Sequence, residues 1–144
     1  MSAATALYTP QVLALATSLS AYPVDPGLPR HGTARSVACG STVTVGLALD
    51  PAGTIARIGL SCHACAIGQA ATAIFAAAAI GTTRDRIAAA QSALAVWLGG
   101  GDELPDWPGL EAIATARGFP GRHGAILLPW KAALAALSTA PPRG

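Results

Sequence analysis

The sequence has few charged residues, and this scarcity excludes several classes of protein. Charged side chains make up 11% of the 144 residues, the net charge is +2, and Lys131 is the only lysine. Proteins that bind nucleic acid need a basic patch or stripe, whereas this chain has no run of lysine or arginine. Apolar residues reach 52%, so the composition also excludes a disordered chain. We expect one folded domain over residues 1–144, with no nucleic-acid partner.

The sequence predicts neither a secretory leader nor a membrane span. Residues 1–9 carry no charged n-region, which a signal peptide has. The most apolar stretch, 64–80, contains Gln69 and is shorter than the ~20 residues that a transmembrane helix needs. Three cysteines without a leader are typical of a reducing compartment, where thiols are ligands, nucleophiles or core residues. We therefore expect a cytoplasmic protein with no membrane partner.

The motifs of common enzyme classes are absent as well. No carboxylate pair indicates acid–base hydrolysis, and no serine has a Ser-His-Asp context. The glycine run 99–101 follows a predicted helix rather than a strand, unlike a phosphate-binding loop. A zinc ribbon needs a second Cys-x-x-Cys, which the chain lacks. We therefore predict that the protein is not an enzyme.

The apolar pattern predicts an α+β fold. It indicates an N-terminal helix over 8–19 and then a Pro-rich linker over about 21–31. Strands are predicted at 33–38, 42–49 and 54–60, and later helices from Cys65 to Gly81, from Thr82 or Thr83 to Gly99, at 105–116 and at 125–137. Pro129 is expected in the first turn of the last helix, and the tail 138–144 is expected to fray. We predict a three-stranded antiparallel sheet, with the N-terminal helix and three to four helices packed on one face.

The cysteines lie in segments that this fold brings together. Cys39 is in the turn between the first two predicted strands, and Cys62 and Cys65 lie between the third strand and a helix start. In a three-stranded meander, the first turn and the end of the third strand are at the same end of the sheet. Thiols in loops and at helix starts are accessible and more readily ionised. We therefore expect Cys39 and Cys65 to share one site.

Cys62, His63 and His123 are candidate metal ligands, but each also has a structural interpretation. Cys62 also fits a small buried core residue. His63 is expected to face solvent unless it binds a metal ion, and His123 is either an exposed loop residue or a ligand, because histidine is the commonest metal ligand. His31, in the Pro-rich linker, is not expected to take part.

Three short motifs follow one another along the chain. Residues 38–41 read Ala-Cys-Gly-Ser, residues 65–71 read Cys-Ala-Ile-Gly-Gln-Ala-Ala, and Phe-Pro-Gly-Arg at 119–122 is followed by Leu-Pro-Trp-Lys-Ala at 128–132. They are similar to the Cys-Gly-Asp, Cys-x-Ile-Ser-x-Ala-Ser and Phe-Pro-x-Arg-x-Lys-Cys motifs of the NifU N-terminal/IscU-like family, the last in its SufU branch. Over about residues 7–137 the sequence therefore resembles this family of iron–sulfur cluster assembly scaffolds.

The resemblance implies a site of three cysteines and one aspartate. Such a site binds zinc or iron, holds a nascent, transient [2Fe–2S] cluster, and receives sulfur from a cysteine desulfurase for apo iron–sulfur acceptor proteins. By position, Cys39 and Cys65 match the family's ligands. Ser41 stands where the aspartate should be, and Ala125 (or Gly124, if the loop is gapped) stands where the third cysteine should be.

We expect a scaffold with a degenerate ligand set. Zinc and iron–sulfur centres take about four soft or imidazole ligands. Cys39, Cys65 and His123 supply three, and Cys62 or His63 is the candidate fourth. Two alternatives stay open: a thiol or sulfur-acceptor protein that uses Cys62 and Cys65, and a metal-free interaction module that retains the fold.

Overall fold

The computed structural model describes residues 7–138, in which one helix precedes three strands and three further helices follow them. The helices are α1 (Pro10–Ser18), α2 (Ala66–Ala79), α3 (Arg84–Leu98) and α4 (His123–Ser138), and the strands are β1 (Arg30–Arg35), β2 (Thr42–Leu49) and β3 (Ile55–His63). Short 3-10 segments occupy Leu19–Ala21, Leu110–Gly118 and Pro120–Arg122. Over the described range, no helix is long and apolar enough to cross a membrane.

The strands form an antiparallel sheet in the order β1-β2-β3. On one of its faces α4 packs on β1 and β2 and α2 contacts β3, while α1 packs on α2 and α3 packs on α4. Val43, Val45 and Leu47 alternate along β2 and have no exposed surface, as expected for the buried side of a pleated strand. Gly32 of β1 lies directly against the backbone of α4 at Ala132, so that no β carbon would fit there. The predicted α+β fold, with its antiparallel sheet and helices on one face, is confirmed.

The linker between α1 and β1 covers part of the opposite face of the sheet. Leu28 is 3% exposed, and a β carbon on Gly46 would lie 3.1 Å from its Cδ1. The backbone N–H of Leu60 donates to the carbonyl of Tyr22 at 3.0 Å. These contacts hold the linker against the sheet, and it ends where β1 begins at Arg30.

Some predicted boundaries were wrong, because hydrogen bonding extends elements beyond the residues that their apolar pattern marks. Pairing with β2 continues as far as His63 opposite Thr42, so Cys62 lies within β3 rather than in a loop. The last helix begins at His123 rather than at 125. Pro129 therefore lies in its second turn, where the ring removes the bond that the Ala125 carbonyl would otherwise accept. The helix predicted at 105–116 is instead a 3-10 segment, Leu110–Gly118, with a kink at its centre.

An aromatic cluster ties α2 to α4 and to the segment before Leu110. The rings of Phe75 and Trp107 are stacked with centroids 5.6 Å apart, and Trp130 meets both edge-on at 5.5 Å. Trp107 Nε1 donates to the Ile74 carbonyl at 3.0 Å. Buried aromatic pairs of this kind contribute about 0.5–1.5 kcal/mol beyond their area. The cluster thereby fixes the relative positions of the two helices whose first turns build the site described next.

Candidate thiol site at the end of the sheet

Cys39 lies in a tight, hydrogen-bonded loop between β1 and β2. The Ser36 N–H donates to the Ser41 carbonyl at 2.9 Å, and the Gly40 N–H donates to the Ser36 carbonyl at 2.8 Å. Gly40 has a φ of 73°, which glycine adopts without strain. Ser36 and Ser41 are buried while Cys39 is exposed. The loop therefore presents the thiol to solvent above two buried hydroxyl groups.

Hydrogen bonds favour the ionised form of Cys39. Its Sγ lies 3.1 Å from Ser41 Oγ. The pKa of this thiol is lowered, first by the Ser36 hydroxyl, then by the side chain and backbone of Ser41, with a smaller contribution from the charge of Arg122. Hydrogen bonds to a charged form stabilise that form. Cys39 is thus the thiol best prepared to act as a ligand or nucleophile.

Cys65 occupies the N-cap position of α2. Its side chain makes no capping hydrogen bond, so the thiol does not serve to close the helix end. The segment is held instead by Gln69, whose Nε2 donates to the Ala64 carbonyl and whose N–H donates to the Cys65 carbonyl, both at 2.9 Å. The sulfur is left half-buried and available at a helix N-terminus, where a negative charge is favoured.

Cys62 has a different environment. Its half-buried sulfur lies 3.6 Å from Thr72 Oγ1, on the inner side of β3. Burial raises the pKa of the Cys62 thiol; the hydrogen bond to Thr72 opposes this rise in part, and the charge of Cys65 adds a smaller rise. A buried thiol with a raised pKa is a poor nucleophile.

The first turn of α4 contacts both cysteine-bearing segments. A β carbon on Gly124 would lie 2.5 Å from the Ser36 Oγ in the Cys39 loop. Ala125 is the next residue of α4. A β carbon on Gly68, in the first turn after Cys65, would lie 3.2 Å from the Ala125 β carbon. Three separate segments therefore converge at this end of the sheet.

Arg122 supplies the positive charge of the site. It directly precedes α4, and its Nη2 donates to the Tyr8 hydroxyl at 3.3 Å. The pKa of Arg122 is raised, first by Tyr8 and then by the charges of Cys65 and Cys39. Arg122 and Ser36 were not predicted as site residues from the sequence. For Arg122, its place in the Phe-Pro-Gly-Arg motif was a signal that could have identified it.

The histidines are engaged elsewhere or exposed. His123 Nε2 lies 2.7 Å from the Arg117 carbonyl, and His31 Nε2 lies 2.7 Å from the Leu28 carbonyl. His63 is exposed at the end of β3. Across residues 7–138, no group of three or more His, Cys, Asp or Glu side chains is arranged to hold a metal ion. A metal site formed by Cys39, Cys65 and His123, with Cys62 or His63, stays a prediction.

No family model matches the chain, and neither does any curated protein. Among solved structures, it is similar to a nitrogen-fixing NifU-like protein (N-terminal) from Brucella abortus, at 27% identity and a TM-score of 0.82, with 94% of this chain and 95% of the other covered. It is also similar to a protein from Fervidobacterium islandicum AW-1 described as an iron–sulfur cluster assembly scaffold for the SUF system. There the identity is 21%, the TM-score 0.80 and the coverage 92% and 98%. This second likeness concerns the fold alone.

The fold and the site together define a class of small α+β protein that carries thiols at the end of a three-stranded sheet. The resemblance inferred from the sequence motifs is confirmed: the chain is like NifU-type N-terminal proteins over nearly its whole length.

Proposed function

We propose that the protein takes part in iron–sulfur cluster assembly as a scaffold, with Cys39 and Cys65 as the residues that hold its cargo. The observation that carries the proposal is the contact of the first turn of α4 with both cysteine-bearing segments, through Gly124 and Ala125. It supports a common site for the two thiols in a protein whose fold is like that of NifU-type proteins. The scaffold itself performs no turnover chemistry.

The cargo is iron, zinc or a transient [2Fe–2S] cluster, held more weakly than in a site with four ligands. Thiolates are the preferred ligands of such centres, and the proposed site offers two of them, Cys39 and Cys65. For His123 to act as a third, its ring has to leave the Arg117 carbonyl, to which it is hydrogen-bonded. Weak retention suits a protein that receives sulfur from a cysteine desulfurase and passes its cargo to apo acceptor proteins in the cytoplasm.

Anaerobic reconstitution with iron and sulfide tests this function. We expect visible absorption of a cluster, and iron by elemental analysis, in the parent protein. Cys39→Ser and Cys65→Ser should lose both signals. Cys62→Ser is the matched control and should keep them, because this thiol faces Thr72. Equal iron content in the parent and in Cys39→Ser would contradict the proposal.

A second candidate is a metal-free interaction module that retains the fold. It is favoured by one observation, the shortage of grouped ligands in the described part of the chain. Such a module would purify without metal and would be indifferent to Cys39→Ser. The remaining alternative, a thiol protein that uses Cys62 and Cys65, is disfavoured by the raised pKa of Cys62.

A further inference from the structure

Helix α3 has an apolar stripe on the side that faces away from the protein. Its buried residues, on the inner side, are Ile87, Leu94, Trp97 and Leu98. On the outer side, Ala89, Ala93 and Val96 are exposed, and they follow the i, i+4, i+7 spacing of a single helix face. Val96 is 67% exposed. A surface helix normally carries polar residues on this side, so the packing of the protein itself does not explain the second apolar face.

Two adjoining depressions lie along this stripe and share Ala93. The larger, of about 380 Å³, is lined by Ser92, Ala93, Val96, Gly101, Asp102 and Glu103. The smaller, of about 220 Å³, is lined by Arg86, Ala89, Ala90, Ala93 and Asp106. The alanine side chains are short and leave the floor low. The two depressions therefore form one groove between α3 and residues 101–106, which we call the α3 groove.

The wall of the α3 groove opposite the helix is held in place by the protein. The Gly101 N–H donates to the Val96 carbonyl at 2.9 Å, and a β carbon on Gly101 would lie 2.9 Å from Val96 Cγ1. Arg117 donates from Nε to the Trp97 carbonyl at 2.8 Å and from Nη2 to the Gly101 carbonyl. The groove is thus formed before a partner binds, which lowers the cost of binding.

The α3 groove lies beside the most acidic part of the chain. Residues 99–116 contain four of the seven acidic residues and no lysine or arginine, although the net charge of the chain is +2. Within residues 7–138, neither Asp102 nor Glu103 forms an ion pair. Arg86 is already engaged, because its Nη2 donates to the Asp106 carbonyl at 3.2 Å. An apolar floor beside two unpaired carboxylates is complementary to an aliphatic side chain that is flanked by lysine or arginine.

We propose that the α3 groove is a docking surface for a basic amphipathic helix of another protein. The groove follows α3 over about two turns, or about 10 Å, and its low floor lets the backbone of a second helix come close. An aliphatic residue of the partner packs on Ala93, and a lysine or arginine pairs with Asp102 and Glu103. No residue that lines the groove belongs to the thiol site. The inference therefore goes beyond the proposed function and adds a second surface to the protein.

The test uses a synthetic helical peptide of leucine and lysine, with its leucines on one face. The control peptide has glutamate in place of lysine. Fluorescence anisotropy of the labelled peptides measures affinity for the full chain, and NMR of the isotope-labelled protein locates the contact. We expect saturable binding of the lysine peptide alone, with shifts centred on Ala93, Val96 and Gly101. Its affinity should fall as salt is raised, because salt screens exposed charges.

Two pairs of variants test the floor and the charge of the groove. Ala93→Arg should weaken binding about tenfold or more, because it fills the floor and repels a basic partner. Ala95→Arg makes the same change at an exposed position of α3 outside the groove and should bind as the parent does. Glu103→Gln should weaken binding about twofold to fivefold, as expected for an exposed ion pair. Glu111→Gln removes an exposed carboxylate outside the groove and should have no effect.

Three results would overturn the inference. The first is equal affinity in the parent and in Ala93→Arg, and the second is the absence of saturable binding. The third is dimerisation of the parent that Ala93→Arg abolishes, because it would assign the groove to a second copy of this chain. Iron reconstitution of Ala93→Arg should match that of the parent, and a loss of iron uptake would show that the two surfaces are not separate.

Discussion

Gly124 and Ser36 are in such close contact that a β carbon on Gly124 would lie 2.5 Å from Ser36 Oγ. No real β carbon comes so near to another atom, so a cysteine at position 124 would require the Ser36 hydroxyl in the Cys39 loop to move. Ala125 already has a β carbon, which lies beside Gly68 in the first turn of α2. Of the two positions proposed for the family's third cysteine, the geometry therefore favours Ala125.

Gly124→Ala should destabilise the protein through Ser36. We expect a loss of about 1–2 kcal/mol in the free energy of unfolding, within the usual cost of overpacking, measured by urea denaturation. Combining it with Ser36→Ala tests the cause, because that change removes the offending Oγ. Gly124→Ala should cost clearly less in the Ser36→Ala background. The same cost in both backgrounds would show that the two residues do not interact.

Gly32→Ala should have a larger effect on stability. Its β carbon would enter the backbone of α4, lying 2.8 Å from the Ala135 carbonyl carbon and still nearer to its neighbours. Backbone cannot rotate away as a side chain can, so we expect a loss of about 3 kcal/mol or more. Gly121→Ala is the control, since nothing lies within 4 Å of its β carbon. Equal urea midpoints for the two variants would mean that α4 does not rest on β1 as described.

The general fold was predictable from the sequence because its signals are local. The alternation of Val43, Val45 and Leu47 marks β2, whose predicted bounds are those observed. Thr83 caps α3 by accepting from the Arg86 N–H at 3.3 Å. Gly81, with a φ of 86°, ends the helix before it.

The arrangement of the site was less predictable, because it depends on contacts between distant segments. The predicted meander places Cys39 and Cys65 at one end of the sheet. No local sequence pattern, however, indicates that Gly124 lies in close contact with Ser36. The apolar alternation of the third strand fades after Leu60 and therefore predicts a loop at Cys62. In the structure, backbone pairing opposite Val43 extends the strand through Cys62. The orientation of His123 follows from where the Arg117 carbonyl lies after folding.

Cys39 should react with iodoacetamide at a lower pH than Cys62. Its lowered pKa means that more thiolate is present at any given pH, whereas burial raises the pKa of Cys62. Labelling of each cysteine across pH, followed by peptide mass spectrometry, measures this order. Ser41→Ala should move the half-labelling pH of Cys39 upward, because it removes a hydrogen bond to the thiolate. Labelling of Cys62 before Cys39 would contradict the described environments.

Ala125→Cys should strengthen metal binding. Ala125 has no exposed surface, and its β carbon faces Gly68, which has no side chain of its own. A thiolate there would add a third soft ligand to Cys39 and Cys65. Because the loss of outer-shell partners alone costs 10–100-fold in metal affinity, we expect a gain of about tenfold or more from a new first-shell ligand. Competition against a chelator, with zinc or with reconstituted [2Fe–2S], measures retention in parent and variant.

The control for this variant is a cysteine at another buried alanine of the same helix. Ala132→Cys lies two turns further along α4, where the backbone faces Gly32 of β1, and it should leave metal retention at the parent level. A gain in both variants would point to non-specific binding by an extra thiol. Equal retention in the parent and in Ala125→Cys would mean that Ala125 is not the vacated ligand position. Cys62 and the histidines would then have to complete any site. If no variant holds metal under anaerobic conditions, the scaffold function has to be given up, and the metal-free interaction module becomes the better account of this fold.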